Sequence, residues 1–288
     1  AIPATAQCQG PVIGFIAHMD TAPDYSGENV KPQIIEKYDG KDVVLGTSGR
    51  ILSTKDFPML KTMAGRTLIT TDGMTLLGAD DKAGIAEILT VAEELLKGDI
   101  PHGKVCISFT TDEEVGSGAC HMDLERFGAP YAYTVDGGPE GEIQFENFNA
   151  ASAEFAIHGV NVHPGEAKDI MVNSMKIAME LQSMLPEQEA PEHTEGYEGF
   201  FHLMEMNGSV EETTMSYLIR EFDAEKYEAR KVLMQEITAS LNKKYGDGTV
   251  ELNLKDSYRN MREKIEPCMQ LIDFAVQACK DADVTPDI

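Results

Sequence analysis

The hydrophobic pattern changes rhythm part-way along the chain. Early on, short unbroken apolar runs alternate with stretches of helical period. Residues 12–17 (Val-Ile-Gly-Phe-Ile-Ala) form such a run, the mark of a strand buried on both faces. Residues 105–111 and 131–135 predict a second and a third strand. Between the first two, Ile85, Ile88, Leu89, Ala92 and Leu96 recur at helical spacing, which predicts a helix over about 81–97 that Gly98 closes. A second helix is expected over 118–127. Strands and helices in alternation imply a largely parallel α/β sheet. Residues 22–77 read as a long excursion rich in Gly, Pro and Asp turns, with some strand content.

From about residue 148 the apolar positions alternate singly, as in Ala153, Phe155 and Ile157, which suits a strand covered on one face. A helix over 172–185 carries Met175, Ala178 and Leu181, and stops before Pro186. Strands follow at 200–206 and 213–221. A long helix over 224–245 lines up Leu233, Ile237 and Leu241, and a strand at 249–254 closes the set. The order β-α-β-β-α-β is that of a ferredoxin-like sandwich. One more helix, 266–281, places Ile272, Ala275, Val276 and Cys279 on one face. The expected division is 1–147, then 148–257 as a domain with its own core, then 258–288.

Composition narrows the function classes. The chain has 288 residues, with 24 Lys and Arg against 49 Asp and Glu, a net charge of -25. That argues against nucleic acid and against an anionic membrane surface. With 42% hydrophobic residues the chain is not a disordered acidic polymer, and its apolar runs are too short to span a bilayer. The first residues have neither the charged nor the apolar region of a signal peptide. Five scattered cysteines with no C-x-x-C pair suggest a reducing, cytoplasmic compartment.

The candidate chemistry sits where the first three strands end. The first runs into His18-Met19-Asp20, the second into Asp112-Glu113-Glu114, the third into Asp136-Gly137-Gly138. The helix at 81–97 is preceded by Gly78-Ala79-Asp80. Sites form at the C-terminal strand edge of open α/β sheets, so these groups converge if the topology is right. Carboxylates gathered this closely repel unless protons or a metal neutralise them. One imidazole with several carboxylates suits Zn²⁺, and also Mn²⁺ or Co²⁺. Asp20, two residues from His18, can orient the imidazole. Of the adjacent Glu113 and Glu114, one can hold metal while the other acts as a base, which suits hydrolysis by metal-activated water. Each signal alone has a plainer reading as a strand-end loop, a helix N-cap or a turn. Their coincidence at four junctions favours a site.

These segments, His18-Met19-Asp20-Thr21, Gly78-Ala79-Asp80-Asp81-Lys82-Ala83-Gly84, Asp112-Glu113-Glu114 and Val135-Asp136-Gly137-Gly138, resemble the co-catalytic di-zinc metallopeptidases related to carboxypeptidase G and succinyl-diaminopimelate desuccinylase. Residues 161–165, 194–200, 217–223 and 258–263 extend the resemblance toward the aminotripeptidases of that family and along essentially the whole chain. It implies an α/β fold: a zinc-exopeptidase-like, mainly parallel sheet domain with an inserted ferredoxin-like α+β dimerisation or lid domain. It implies a homodimer and two Zn²⁺ per complete subunit. His18 and Asp136 would hold one ion, Glu114 the other, and Asp80 both, with a cis peptide after Asp80. Glu113 would be the general base and Asp20 would hold His18. His163, Asn173 and Arg220 would contact a tripeptide substrate, although each also has a structural reading as turn, helix cap or surface ion pair. Other amidohydrolases of the family (dipeptidases, carboxypeptidases, deacylases) share the metal residues. The family pattern also extends beyond both ends of this chain and includes a late zinc-binding His, so a truncated, non-catalytic metal-binding piece is a further expectation.

Overall fold

The computed structural model describes residues 1–8 and 10–288. The chain divides into two units, Ala1–Pro139 and Glu140–Ile288. The first opens with strand β1 (Ile13–His18). Four short strands follow: β2 (Gln33–Ile35), β3 (Val43–Leu45), β4 (Arg50–Leu52) and β5 (Leu68–Thr70). Then come helix α1 (Ala79–Leu96), strand β6 (Val105–Thr110), the single-turn helix α2 (Leu124–Phe127) and strand β7 (Ala132–Thr134).

The sheet that matters for chemistry has the order β6-β1-β7, with β1 parallel to both neighbours. Its register sets His18 opposite Thr110, and Ile16 opposite Thr134. The three strands therefore finish at one edge, and the polar segments after them emerge together. The excursion at 22–77 forms two small antiparallel ribbons, β2 with β5 and β3 with β4, around Tyr38, Val43 and Leu45.

Helix α1 packs through Gly84, Ile88 and Ala92, one residue per turn. Leu89 and Leu96, expected on the same stripe, are exposed, because α1 meets the sheet along that one row only. Gly98 closes the helix with φ of 83°, in the region open to glycine. The helix expected over 118–127 shrinks to Leu124–Phe127. Asp123 starts it by accepting from Arg126 N–H at 2.9 Å, and residues before it form turns through Gly116 and Gly118.

The second unit begins with β8 (Asn149–His158) and α3 (Ser174–Met184), then β9 (Phe200–Gly208), β10 (Glu212–Glu221), α4 (Ala224–Tyr245) and β11 (Val250–Tyr258). The sheet order is β11-β8-β10-β9, every neighbour antiparallel. This is the ferredoxin-like arrangement that the alternation predicts. Phe155, Tyr217 and Ile219 meet Ile177 and Leu181 of α3 and Met234, Ile237 and Leu241 of α4 in a continuous core. A short helix α5 (Arg262–Ile265) and a final helix α6 (Gln270–Asp281) follow. Helix α6 starts later than the periodicity suggests, because Glu266–Cys268 with Pro267 forms a 3₁₀ turn first. Ile272 is buried on its inner face.

Among the described residues no helix is long and apolar enough to cross a membrane. All five cysteines are free. Leu181 is fully buried at the centre of the sandwich, so Leu181→Ala should remove about 2–5 kcal/mol of stability. Urea unfolding checks this, and a loss below about 1 kcal/mol would contradict the packing described.

Candidate metal centre

The site belongs to the first unit. His18, the last residue of β1, is 2% exposed, and its ring is fixed from both sides. Nδ1 lies 3.1 Å from the Asp20 carbonyl oxygen and 3.3 Å from Asp20 Oδ1. Two acceptors there place the ring proton on Nδ1. Nε2 lies 2.7 Å from Asp80 Oδ1, 3.8 Å from Asp136 Oδ2 and 3.9 Å from Glu113 Oε2. A bare Nε2 lone pair facing these oxygens would be repelled, so the arrangement calls for a positive charge between them, either a proton or a metal ion. His18, Asp80 and Asp136 each offer a donor atom within 4.8 Å of the others. That donor set, one imidazole and carboxylates, fits a divalent metal.

The titration shifts express the same crowding. Burial alone would lower the His18 pKa, but the hydrogen bond to Asp80 and the charges of Asp136, Asp80 and Glu113 raise it above 6.5. Burial, then the charges of Asp136, Glu114 and Asp80, pushes Glu113 up, with His18 opposing. Asp136 is raised by burial and by Asp81, Asp80 and Glu114.

Asp20 has a second connection. Its Oδ2 accepts from the Glu114 backbone N–H at 3.0 Å, so one carboxylate touches both the imidazole and the Glu113-Glu114 turn. Its Oδ1 is buried and has no aligned hydrogen bond beyond its approach to His18. Gly118 is needed beside this turn, since a Cβ there would stand 2.9 Å from Glu113 Cα.

Of the residues expected at the site, the structure gathers His18, Asp20, Asp80, Glu113 and Asp136. The Glu114 carboxylate is not in the tight group around His18 Nε2; it adjoins it, close enough to raise Glu113 and Asp136. The Asp80–Asp81 peptide is cis. Sequence reasoning passed over Asp81 as part of a helix cap. In the structure it is 3% exposed and accepts from His18 N–H at 3.1 Å and Gly84 N–H at 3.2 Å. No pattern in the sequence separates a buried Asp81 from an exposed Asp80.

The three residues expected to contact substrate lie in the second unit. His163 Nδ1 accepts from Gly165 N–H at 3.2 Å, which leaves Nε2 carrying the proton in the neutral ring. Asn173 caps α3 by accepting from Lys176 N–H at 3.3 Å. The Arg220 guanidinium lies over the Tyr258 ring at 5.4 Å. It does not pair with Glu221, which binds Arg230 at 3.0 Å.

Known proteins resemble this chain in sequence and in fold. Residues 145–249 match the peptidase dimerisation domain. A peptidase T from Clostridium novyi is 57% identical over 289 aligned positions, covering all of this chain and 71% of its own length. The chain belongs to the peptidase T family. The crystal structure of an aminopeptidase PepT from Bacillus cereus superposes with a TM-score of 0.78 at 26% identity, over 99% of this chain and 68% of that one. A dinuclear metal binding peptidase from Bacillus subtilis, 15% identical, shares the fold at a TM-score of 0.52 over 96% of this chain and 70% of its own. The site thus lies in a peptidase T fold.

The pH response of the metal-free protein follows from these shifts. His18 binds its proton more tightly folded than unfolded, so its contribution is complete below about 6.5 and is lost as pH rises through the raised folded value. Glu113 and Asp136 are raised as well, so theirs is lost as pH rises above the ordinary carboxylate range of about 4. All three act in one direction. Chelator-treated protein should lose stability from these groups as pH rises from the carboxylate range of about 4 through the raised His18 value, with a smaller loss in Asp136→Asn. Urea midpoints across that range test it, and equal slopes in both proteins would refute it.

Proposed function

We propose that this chain releases the N-terminal residue from tripeptides by metal-assisted hydrolysis, with zinc as the metal. Whole-chain similarity to peptidase T supports a metallo-aminopeptidase. The observation that carries the reading at the site is His18 Nε2 facing Asp80, Asp136 and Glu113 within 3.9 Å. In this reading His18 and Asp136 would hold one ion, Glu114 would hold a second, and Asp80 would serve both; Co²⁺ or Mn²⁺ could replace zinc. When bound, such ions supply Lewis-acid polarisation of the scissile carbonyl and acidification of water.

The chain's own residues supply the rest. Glu113 takes a proton from the attacking water and returns it to the leaving amine. Its Oε2 lies 3.9 Å from His18 Nε2, beside the place where the water would be activated. Asp20 keeps the His18 proton on Nδ1, so that Nε2 presents its lone pair. His163, with its proton on Nε2, would donate to the substrate carbonyl. Asn173 spends its oxygen on the helix cap and keeps its amide N–H groups for the peptide. Arg220 would receive a peptide carboxylate.

We read 1–147 and 258–288 as parts of one catalytic domain, with 148–257 inserted as the dimerising or lid domain of a homodimer. The match at 145–249 to a peptidase dimerisation domain supports that division. A cytoplasmic location fits five free cysteines.

Glu113→Ala should abolish tripeptide turnover while zinc remains bound, measured by peptide assay and metal analysis on the same sample. Near-normal turnover would sink the base assignment. The full chain should cleave tripeptides well ahead of dipeptides and N-blocked peptides. A preference for dipeptides or blocked peptides would instead point to a dipeptidase or deacylase of the same family. Absence of both zinc and hydrolysis would indicate a non-catalytic piece.

A further inference from the structure

Asp81 has no part in the reaction described above, yet its environment is unusual for a carboxylate. It follows Asp80 directly. The Asp80 side chain is 70% exposed, whereas Asp81 is 3% exposed. Burial raises the cost of its charge, which is tolerable only if both oxygens find donors. They do so on two different elements. Oδ2 accepts from the backbone N–H of His18, at the end of β1, and Oδ1 accepts from the backbone N–H of Gly84, in the first regular turn of α1. One carboxylate thereby bridges the strand that carries His18 and the helix that carries Asp80.

The third element is held at the same point. A Cβ on Gly84 would stand 1.9 Å from the Val135 carbonyl oxygen and 2.6 Å from Asp81 Oδ1. The start of α1 therefore rests directly on the backbone that follows β7. Val135 N–H in turn donates to Ile16 of β1 at 2.8 Å, and the next residue is Asp136. Thus His18, Asp80 and Asp136 each sit on, or one residue from, a backbone group fixed by the Asp81–Gly84 pair.

We propose that Asp81 is a positioning residue of the metal centre. Its carboxylate, with Gly84 against Val135, sets the spacing of His18, Asp80 and Asp136. An acceptor-only group is required, because both partners are N–H donors. The isosteric Asn would turn its NH₂ toward one of them and push β1 and α1 apart. This inference rests on the reading of those three residues as metal ligands.

The test uses the full chain as wild type, Asp81→Asn, Gly84→Ala and Ile88→Val. The last loosens the buried face of the same helix without touching the site. Zinc affinity is measured by competition with a chelator, and the ligand field by the visible absorption of the Co²⁺ form. Asp81→Asn should weaken zinc binding by about tenfold or more and shift the Co²⁺ bands, while Ile88→Val moves neither. A purely structural role would lower the unfolding temperature and leave affinity and spectrum unchanged, and that result overturns the proposal. Should Asp81→Asn fail to fold, Gly84→Ala decides by the same readings: weaker affinity supports the proposal and wild-type affinity overturns it. A wild-type protein that binds no zinc overturns the metal-centre reading and this inference with it. Wild-type binding with an unaltered Asn variant overturns this inference alone.

Discussion

A buried imidazole faces three carboxylates across less than 4 Å, and the first unit is organised around that contact. Like charges at such distances are tolerable only with a cation among them. Burial and neighbouring charges push the pKa values of His18, Glu113 and Asp136 upward at the place where a metal fits. The parallel order β6-β1-β7 brings the strand ends together, and α1 adds Asp80 from the side. The backbone contacts at Asp81, Gly84 and Gly118 leave these groups little room to separate.

The second unit follows a different logic. Its sandwich has a continuous apolar core, and its buried side-chain polar atoms have hydrogen-bond partners. Glu221, 3% exposed at its side chain, is matched by Arg230, which also reaches Glu189 and so ties the acidic 186–198 loop to α4. The three residues assigned to substrate contact are partly engaged here too. His163 and Asn173 each spend one polar atom on local structure and retain another for a ligand. A structural role thus leaves other atoms of the same side chain available to a ligand.

The elements that were legible in the sequence are those whose burial is one-sided and regular. The alternation in β8 and β10 and the stripe on α4 gave the ferredoxin-like order, because a pleated or helical surface against a core imposes its own period. Where local chemistry overrides periodicity, the pattern misled. Gly116, Gly118 and the Asp123 cap shorten the helix expected from 118, and Pro267 turns the start of α6 into a 3₁₀ turn. Leu89 and Leu96 fit a helical stripe in number but not in contact, since the strands reach only one row of α1.

The sequence by itself determined the kinds of group available and where they stand relative to the strand ends: one His, a bridging candidate Asp80, the Glu113-Glu114 pair and Asp136. It also determined the net charge and the two rhythms of the chain, because those depend only on residue order. What the tertiary structure decided is how each of two adjacent acids is placed. Asp80 is exposed and meets His18 Nε2, while Asp81 is buried under two N–H donors; Glu113 faces the imidazole, while Glu114 stands beside the group. Neighbours in sequence share composition and position. Only the path of the backbone through β1, α1 and β7 sends their side chains to opposite surroundings.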